Sequence, residues 1–305
     1  MESELTARGA LLSGLIDYAG LFPPESRDMR GAVAGYSDAR ALQSWMVHRF
    51  IVPEGRLEEL AEHLEDEPDP WPLAVVFGEP YGEWSKSIAD DARSLEVVKL
   101  AMRDSAKFEI AELKLPPSLA GDPAASAKVA SVRSSLAPLF DTVLFEVSLA
   151  DERTLGHQLQ IVFEAGAGAK IRCGGAAVED FPSPATVAEF ISTSAELEIP
   201  FKATAGLHHP LRHWDCDPGV KRHGFLNIVG ASVLAAVTDI GVAELTEVIA
   251  EEDPDAFEVT DLAFRWRHRA ATAGEVAKAR DGFMLGYGSC SFTEPVADLV
   301  EMGIL

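Results

Sequence analysis

Several short apolar runs carry two polar side chains at a spacing of two, close to where each run ends. The four pairs are Glu112 with Lys114, Glu146 with Ser148, Lys170 with Arg172, and Lys202 with Thr204. On a β-strand, residues i and i+2 share a face. A charge inside a parallel barrel is costly unless it is paired, and barrel enzymes hold their catalytic groups at the carboxyl ends of the strands. The pattern predicts a polar cluster at that end, although single pairs could instead form outward salt bridges to helices.

Two lysines stand out because each begins the same pattern, K-x-x-x-G. Lys170 begins KIRCG and Lys202 begins KATAG. On neighbouring parallel strands the two would lie about 4.8 Å apart. A second cation, together with Arg172 and burial, would lower the pKa of such a lysine. A neutral lysine condenses with a carbonyl to form a Schiff base, the chemistry of iminium-type aldolases, decarboxylases and dehydratases.

The segment FKATAG, residues 201–206, resembles the strand motif that carries the Schiff-base lysine in deoxyribose-phosphate aldolases, K-T-S-T-G on strand six of a barrel. Counting strands along this sequence also places Lys202 on strand six. In that family a second lysine, within K-A-S-G-G on the next strand, lowers the pKa of the first, whereas here Lys170 comes on the preceding strand. The resemblance covers 6 of 305 residues. It implies Lys202 as the nucleophile, Glu146 as a proton carrier and no required cofactor.

Histidines are concentrated directly after the KATAG run, where four of the eight lie between residues 208 and 223. Pro210 disfavours a regular helix, so the segment is predicted to be a loop. Imidazoles beside carboxylates suit a divalent metal such as zinc or manganese, with His208, His209 and His213 as the ligands. The alternative is a loop that hydrogen-bonds substrate or backbone without a metal. His208 is nearest to the strand end and is the candidate acid–base group.

The segment GYGSCSFTEPVADL, residues 286–299, predicts a Gly-x-Gly turn that leaves a strand and enters a helix. Backbone N–H groups at such a turn can hold phosphate or carboxylate, here beside Gly288, Ser289 and Ser291. The alternative is helix capping by Ser291 or Thr293 without a ligand. Asn227, in the first turn of an earlier predicted helix, could also reach the site. The predicted substrate- or anion-binding set is completed by Arg172, Glu112, Lys114 and Thr204.

These groups need a scaffold that gathers strand ends, and the order of the predicted elements supplies one. Short β-branched runs alternate with alanine-rich helical stretches, and 47% of the chain is hydrophobic. This alternation predicts an α/β protein with a (β/α)8 TIM-type barrel. No G-x-G-x-x-G opens a βα unit, which disfavours an open doubly wound sheet. The predicted strands are 48–53, 72–78, 108–116, 141–149, 168–175, 200–207, 256–260 and 282–288.

The domain organisation predicted from the same pattern is a single domain in two parts. Residues 1–46 are expected to form an N-terminal helical segment packed on the barrel, and residues 47–305 the barrel itself. Within the first part, residues 17–24 (DYAGLFPP) could cover either end of the barrel. Residues 94–102 fit either an extra strand or a helix end.

Charge and cysteine content limit the partners. A formal net charge of −23 disfavours nucleic acid or an anionic membrane as the main partner. No apolar run approaches the ~18 residues of a membrane span. Three widely separated cysteines indicate a reducing, cytoplasmic setting, and packing is the simplest role for them unless a partner is found. A homo-oligomer stays open.

Three functions therefore compete. The first is a Schiff-base lyase or aldolase that acts on a small anionic carbonyl compound, an oxo-acid or sugar phosphate, through Lys202. The second is a metal-dependent barrel isomerase or lyase that uses the loop from His208 to His213. The third is a non-catalytic barrel that binds a small anion, since fold alone does not settle function.

Overall fold

A computed structural model describes residues 5–64, 69–78, 83–149, 151–217 and 219–305. Eight parallel strands close into a barrel in chain order, with the last strand paired to the first, so the predicted (β/α)8 fold is confirmed. The barrel strands are β1 (Ile16–Tyr18), β2 (Val47–Pro53), β3 (Trp71–Val76), β4 (Ala106–Lys114), β5 (Thr142–Glu146), β6 (Gly168–Arg172), β7 (Phe201–Thr204) and, after five other strands, β13 (Met284–Ser289).

The five strands between β7 and β13 form two antiparallel sheets outside the barrel. They are β8 (His213–Asp215) with β9 (Val220–Arg222), and β10 (Phe257–Val259) with β11 (Ala263–Trp266) and β12 (Arg269–Thr272). The prediction that residues 256–260 form a barrel strand was wrong. Phe257–Val259 pairs with β11 in antiparallel fashion instead and belongs to a sheet separate from the barrel.

The first barrel strand lies inside the segment that was predicted to be helical. Helices α1 (Ala7–Leu12) and α2 (Met29–Gln43) are present there, but β1 between them pairs with β13 on one side and β2 on the other. The barrel therefore begins at residue 16, and the boundary at residue 46 does not separate it from a helical extension. The strand count is corrected by one, so Lys170 lies on the sixth barrel strand and Lys202 on the seventh.

Helices surround the barrel, and local sequence explains where they start. In the helix that precedes β7, Ser183 accepts a hydrogen bond from the backbone N–H of Thr186, and Pro184 occupies the first turn. Among the described residues, no helix is long and apolar enough to cross a membrane. Residues 94–102 lie almost entirely in the helix Trp84–Ala101. The helices after α2 are α3 (Leu57–His63), α4 (Trp84–Ala101), α5 (Ala125–Leu136), α6 (Leu155–Glu164), α7 (Pro184–Glu196), α8 (Phe225–Val237), α9 (Val242–Ala250), α10 (Ala273–Gly282) and α11 (Thr293–Glu301).

The barrel interior contains an apolar layer with polar residues above it. The layer consists of Ile51, Ala74, Ile110 and Leu144. Gly168 on β6 leaves room for this layer, because a Cβ there would lie 2.4 Å from Cδ2 of Leu144. Two residues further along their strands, Glu112 and Glu146 share the inward face of Ile110 and Leu144. The apolar layer therefore forms the floor beneath the polar groups.

Candidate active site

Five charged side chains alternate in sign above the apolar layer. The Nζ atom of Lys202 lies 2.5 Å from Oδ2 of Asp17 and 2.6 Å from Oε1 of Glu112. The second carboxylate oxygen of Glu112 lies 2.8 Å from Nζ of Lys170. That Nζ atom also lies 2.9 Å from Oε2 of Glu146. We call this series, from Asp17 through Lys202, Glu112 and Lys170 to Glu146, the ionic chain.

Strand register brings the members of the ionic chain together. Lys170 and Lys202 are directly opposite each other on β6 and β7, and Glu146 on β5 is opposite Lys170. The glycines of the two K-x-x-x-G patterns also meet, since a Cβ on Gly206 would lie 3.2 Å from Cα of Gly174. Gly206 has a φ of +73°, which glycine tolerates most easily. The repeated pattern therefore marks two neighbouring strand ends whose following loops touch.

Asp17 is the member of the ionic chain that sequence reasoning did not assign to the site. It is fully buried on β1, and its carboxylate also accepts a hydrogen bond from the backbone N–H of Arg49 at 3.0 Å. The segment DYAGLFPP thus reaches the carboxyl end of the strands, where Phe22, Pro23 and Pro24 line a cavity. An aspartate inside the apolar run LIDYAG was the available signal.

The ionic chain becomes more exposed from its buried end to a cavity of about 600 Å³ at the carboxyl ends of the strands. The side chains of Asp17 and Lys202 are 0% exposed, that of Glu112 2%, that of Lys170 9% and that of Glu146 12%. Glu112, Lys170 and Glu146 line the cavity, whereas Lys202 is not among the described residues that do so. A molecule in the cavity therefore meets Lys170 and not Lys202.

The expected lowering of a lysine pKa by its neighbour does not occur at Lys170, because a carboxylate separates the two ammonium groups. Burial favours a lower pKa for Lys170, but Glu112 and Glu146 outweigh it and raise this pKa above its ordinary value. Burial favours a higher pKa for Glu112, but Lys170 and Lys202 lower it to about 2. The pKa of Asp17 is also lowered against the effect of burial, by Lys202 and Arg49. At neutral pH, Lys170, Glu112 and Asp17 are therefore charged.

Besides Glu112, four of the predicted binding residues lie along the wall of the cavity: Lys114, Arg172, Thr204 and Gly288. Lys114 is opposite Glu146 in the strand register, and Arg172 is opposite Thr204. Sequence reasoning missed Arg222 on β9, whose side chain lines the same cavity and whose Nε lies 2.5 Å from Oδ2 of Asp215. The hairpin that carries Arg222 gave no strand-end signal, because it lies outside the barrel.

Asn227 has a structural role instead of the predicted contact with substrate. It is buried in the first turn of α8, where its Oδ1 accepts a hydrogen bond from the backbone N–H of Arg212 at 2.9 Å. Its Nδ2 donates to the carbonyl oxygens of Val248 at 2.7 Å and Glu251 at 2.9 Å. The Asn227 side chain thus joins the histidine-rich loop to the end of α9 through three hydrogen bonds.

The two serines of the predicted anion site are also used internally. The hydroxyl of Ser289 donates to the carbonyl oxygen of Ser291 at 2.7 Å. Oγ of Ser291 lies 3.5 Å from the backbone nitrogen of Glu294 at the start of α11, which is the geometry of the capping alternative. Neither serine is among the described residues that line the cavity, so their assignment as anion contacts is corrected.

The three histidines proposed as metal ligands take separate partners. His209 places Nδ1 2.6 Å from Oδ2 of Asp298, and Nδ1 of His213 lies 3.0 Å from the carbonyl oxygen of Leu211. Within the part of the chain that the structure describes, no three or more His, Cys, Asp or Glu side chains are grouped as a metal site. The predicted ligand set is therefore not assembled in this arrangement.

Of these three histidines, His208 alone lines the cavity. Its Nδ1 atom lies 3.0 Å from Oε2 of Glu294 in the first turn of α11. Its Nε2 atom lies 3.6 Å from Sγ of Cys290, a buried residue that also lines the cavity. The predicted position of His208 beside the site is thus matched by its geometry, but its nearest reactive neighbour is a thiol.

Comparison with known proteins defines the class of fold. No protein-family model matches the sequence, and no curated protein matches it. The structure is similar to that of an aldolase called QR15, with a TM-score of 0.51 and 13% identity over 96% of this chain and 97% of that one. A structure from Coccidioides immitis, provisionally described as a deoxyribose-phosphate aldolase, gives a TM-score of 0.44 and 13% identity over 65% of this chain and 74% of that one, a superposition too loose to support a conclusion. At such identities the first likeness establishes a (β/α)8 barrel and no more.

Proposed function

We propose that this chain is an aldolase-like lyase that acts on a small anionic carbonyl compound, with Lys170 as the amine that forms the iminium. The observation that carries this proposal is that Lys170 is a barrel-strand lysine exposed to the cavity and flanked by two carboxylates. The similarity of the whole fold to an aldolase structure agrees with it. Lys202, the lysine first favoured, is fully buried between Asp17 and Glu112 and serves in this proposal as a positioning residue.

The corrected strand count supports this exchange of roles. The resemblance to deoxyribose-phosphate aldolases implies a Schiff-base lysine on strand six and a second lysine on strand seven. Once β1 is counted, Lys170 occupies the sixth strand and Lys202 the seventh. The order of the two lysines is then the order in that family, although FKATAG, the segment that carries the resemblance, now lies on strand seven and not on strand six.

Of the two cavity-facing carboxylates of the ionic chain, Glu146 is the one that we assign to proton transfer at Lys170. Lys170 must lose a proton before it attacks a carbonyl. Glu112 is a poor acceptor, since its pKa is about 2. Glu146 lies 2.9 Å from the same Nζ atom and is the most exposed member of the ionic chain, so it is the proposed proton acceptor.

The same carboxylates favour the intermediate. Attack by the neutral amine forms a carbinolamine. Glu146 gives the proton that it took from Lys170 to the departing hydroxyl, so water leaves and an iminium cation forms at the position of the former ammonium group. Glu112 and Glu146 that hold the ammonium then hold the iminium, so the local charge balance is preserved. As the adjacent carbon–carbon bond breaks, its electron pair moves toward the iminium nitrogen to give an enamine, and Glu146 takes the proton of the substrate hydroxyl that becomes the carbonyl of the released aldehyde. Glu146 then gives this proton to the enamine carbon, and water hydrolyses the resulting iminium to release the second product and restore Lys170.

An anionic substrate is proposed from the wall of the cavity. Arg172 and Arg222 both line it, and the planar guanidinium group suits carboxylate or phosphate. Lys114 adds a third basic side chain near the end of β4. These groups lie in a protein with a formal net charge of −23, so they form a locally basic area on an otherwise acidic chain.

Borohydride trapping tests the proposal directly. The protein is incubated with a panel of small oxo-acids, aldehydes and sugar phosphates in the presence of borohydride, and adducts are located by peptide mass spectrometry. We expect the reduced adduct at Lys170 and its loss in Lys170→Met, with the remaining lysines as internal controls. An adduct at Lys202, or no adduct with any carbonyl of the panel, contradicts the proposal.

A non-catalytic anion-binding barrel is the second candidate, and the raised pKa of Lys170 favours it. An ammonium group kept charged by two carboxylates contributes to anion binding without any covalent step. Calorimetry with inorganic phosphate and simple oxo-acids separates the two functions when it is combined with the trapping experiment. Binding without an adduct supports this second candidate. Trapping repeated with added zinc, manganese or a chelator tests the metal-dependent alternative, which requires a response to the metal.

A further inference from the structure

We propose that Cys290, His208 and Glu294 form a second nucleophilic centre in the same cavity, which captures small aldehydes as a hemithioacetal. Cys290 follows the last barrel strand, β13, and His208 lies in the loop after β7, the neighbouring strand. Both residues line the cavity that contains Lys170. The pairing of β7 with β13 thus brings His208 to Cys290 and Glu294, which are 82 and 86 residues away in the sequence.

The geometry follows the order nucleophile, base and orienting carboxylate. Sγ of Cys290 lies 3.6 Å from Nε2 of His208, within hydrogen-bonding distance for sulfur. Nδ1 of the same ring lies 3.0 Å from Oε2 of Glu294. Because a carboxylate can only accept, Nδ1 carries the hydrogen, and Nε2 of the neutral ring is left to accept the thiol proton.

The environment indicates that the thiol is activated only when a substrate is present. Burial raises the pKa of Cys290, so the resting group is a thiol and not a preformed thiolate. Activation then requires His208 to remove the proton as the sulfur attacks. The other two cysteines offer no such arrangement: Cys216 is exposed, and the pKa of buried Cys173 is raised to about 12.

The reaction needs no other reagent. The sulfur of Cys290 forms a bond to the aldehyde carbon, and the π electron pair of the carbonyl moves to its oxygen. The thiol proton passes to Nε2 of His208 and from there to that oxygen, giving a neutral hemithioacetal. An aldehyde is also a product of the proposed carbon–carbon cleavage, so the capture, although independent of Lys170 as chemistry, would hold such a product within the cavity.

Alkylation by iodoacetamide, followed at each cysteine by peptide mass spectrometry, tests the centre without any catalytic assay. In the wild-type protein we expect Cys290 to be alkylated. In His208→Gln we expect the alkylation rate to fall about tenfold or more, because a positioned base contributes a factor on the order of a hundred. Exposed Cys216 is the internal control and should change little.

Two further results decide the matter. In Glu294→Gln the hydrogen bond to the His208 ring is weaker but still present, so the alkylation rate of Cys290 should fall less than in His208→Gln. If His208→Gln does not fold, Glu294→Gln serves as the test in its place. With 13C-labelled glycolaldehyde, a hemithioacetal carbon signal should appear in the wild type and in Lys170→Met, and be lost in Cys290→Ser. Cys290 alkylation that is unaffected by both His208→Gln and Glu294→Gln, or that fails while Cys216 reacts, overturns the proposal. A hemithioacetal carbon signal that persists in Lys170→Met shows that the Cys290 centre works without Lys170. The thiol proposal and the iminium proposal can therefore fail separately.

Discussion

Lys170 and Lys202 lie directly opposite each other on adjacent strands, yet their ammonium groups share one carboxylate between them. Each oxygen of Glu112 contacts one lysine, at 2.8 Å and 2.6 Å. Lys202 is therefore not placed directly against Lys170 as a repelling cation, because Glu112 lies between them. The two lysines are a pair of cations with different access to the cavity, joined by a carboxylate that keeps both in place.

Lys202→Met should destabilise the protein by about 3–5 kcal/mol, because it leaves Asp17 and Glu112 buried with one cation fewer. Urea unfolding measures the loss. Where the folded variant persists at low temperature, borohydride trapping should still label Lys170. Trapping that disappears from a variant with an unchanged near-UV circular dichroism spectrum means that Lys202 is more than a positioning residue.

Acid stability should depend on Glu112. Its pKa falls from an ordinary value of 4.5 to about 2 in the folded protein. A carboxyl group with a lowered folded-state pKa contributes stability above the unfolded-state pKa, and this contribution is lost as the pH falls from about 4.5 through about 2. The contribution at neutral pH is about 3 kcal/mol, at about 1.4 kcal/mol per unit.

Glu112→Gln removes this contribution, so the variant should be less stable at neutral pH and its stability should change less between pH 5 and 2. Equilibrium unfolding by urea at several pH values measures both effects. The matched control is Glu146→Gln, at the more exposed end of the ionic chain. Equal losses of unfolding free energy in the two variants would contradict the special role of Glu112 between the two lysines.

The free-amine fraction of Lys170 should be low and should increase when Glu146 is removed. Its pKa is raised above the ordinary 10.5, in part by Glu146, so competitive labelling with acetic anhydride should still be increasing at pH 10. In Glu146→Gln the labelling curve should move to lower pH. Labelling of the exposed Lys107 is the internal control for the reactivity of the reagent. An unmoved curve means that Glu146 does not hold the proton of Lys170.

Arg172→Gln should weaken the use of anionic substrates and leave the chemical step largely intact. Loss of one charge-assisted contact predicts a KM about tenfold higher with little change in kcat. A neutral analogue of the best substrate is the control, because its KM should not respond. A fall in kcat with an unchanged KM would place Arg172 in the chemical step.

Asn227→Ala should affect stability and not the site. It leaves the N–H of Arg212 and two carbonyl oxygens without their partner, at a cost of about 2–4 kcal/mol. Ser232→Ala in the same helix removes a single hydrogen bond, to the carbonyl oxygen of Ile228, and should cost less. Thermal unfolding ranks the two. Loss of trapping at Lys170 in a stably folded Asn227→Ala protein would restore the predicted contact with substrate.

The barrel could be predicted from the sequence because its strands and helices alternate, but the identity of two strands could not. Ile16–Tyr18 has only three residues, too few for a periodicity to show. Phe257–Val259 has the composition of a strand, and nothing in the sequence shows that its partner is antiparallel. Because one false strand followed the lysines and one true strand preceded them, the total stayed at eight while Lys202 was assigned to the wrong strand.

Spacing along single strands was enough to predict that the polar side chains of the site share inward faces. The contacts between side chains of different strands were missed, because they depend on strand register. Glu112, Glu146, Lys170 and Lys202 were identified because alternation places them on inward faces. Their order along the ionic chain depends on register and on the position of Asp17, which the sequence does not show. The raised pKa of Lys170 was missed for the same reason, since a carboxylate between two cations reverses the effect that two cations alone would have.

The position of β1 has a consequence for how the protein is made. Its neighbours are β2, which follows it closely in the sequence, and β13, which ends at residue 289. On a ribosome, Asp17 is synthesised long before Lys202, and the last strand later still. The carboxylate that is most deeply buried in the finished protein can therefore meet Arg49 early in translation but waits much longer for Lys202. Folding of this barrel is completed only when the beginning and the far end of the sequence meet.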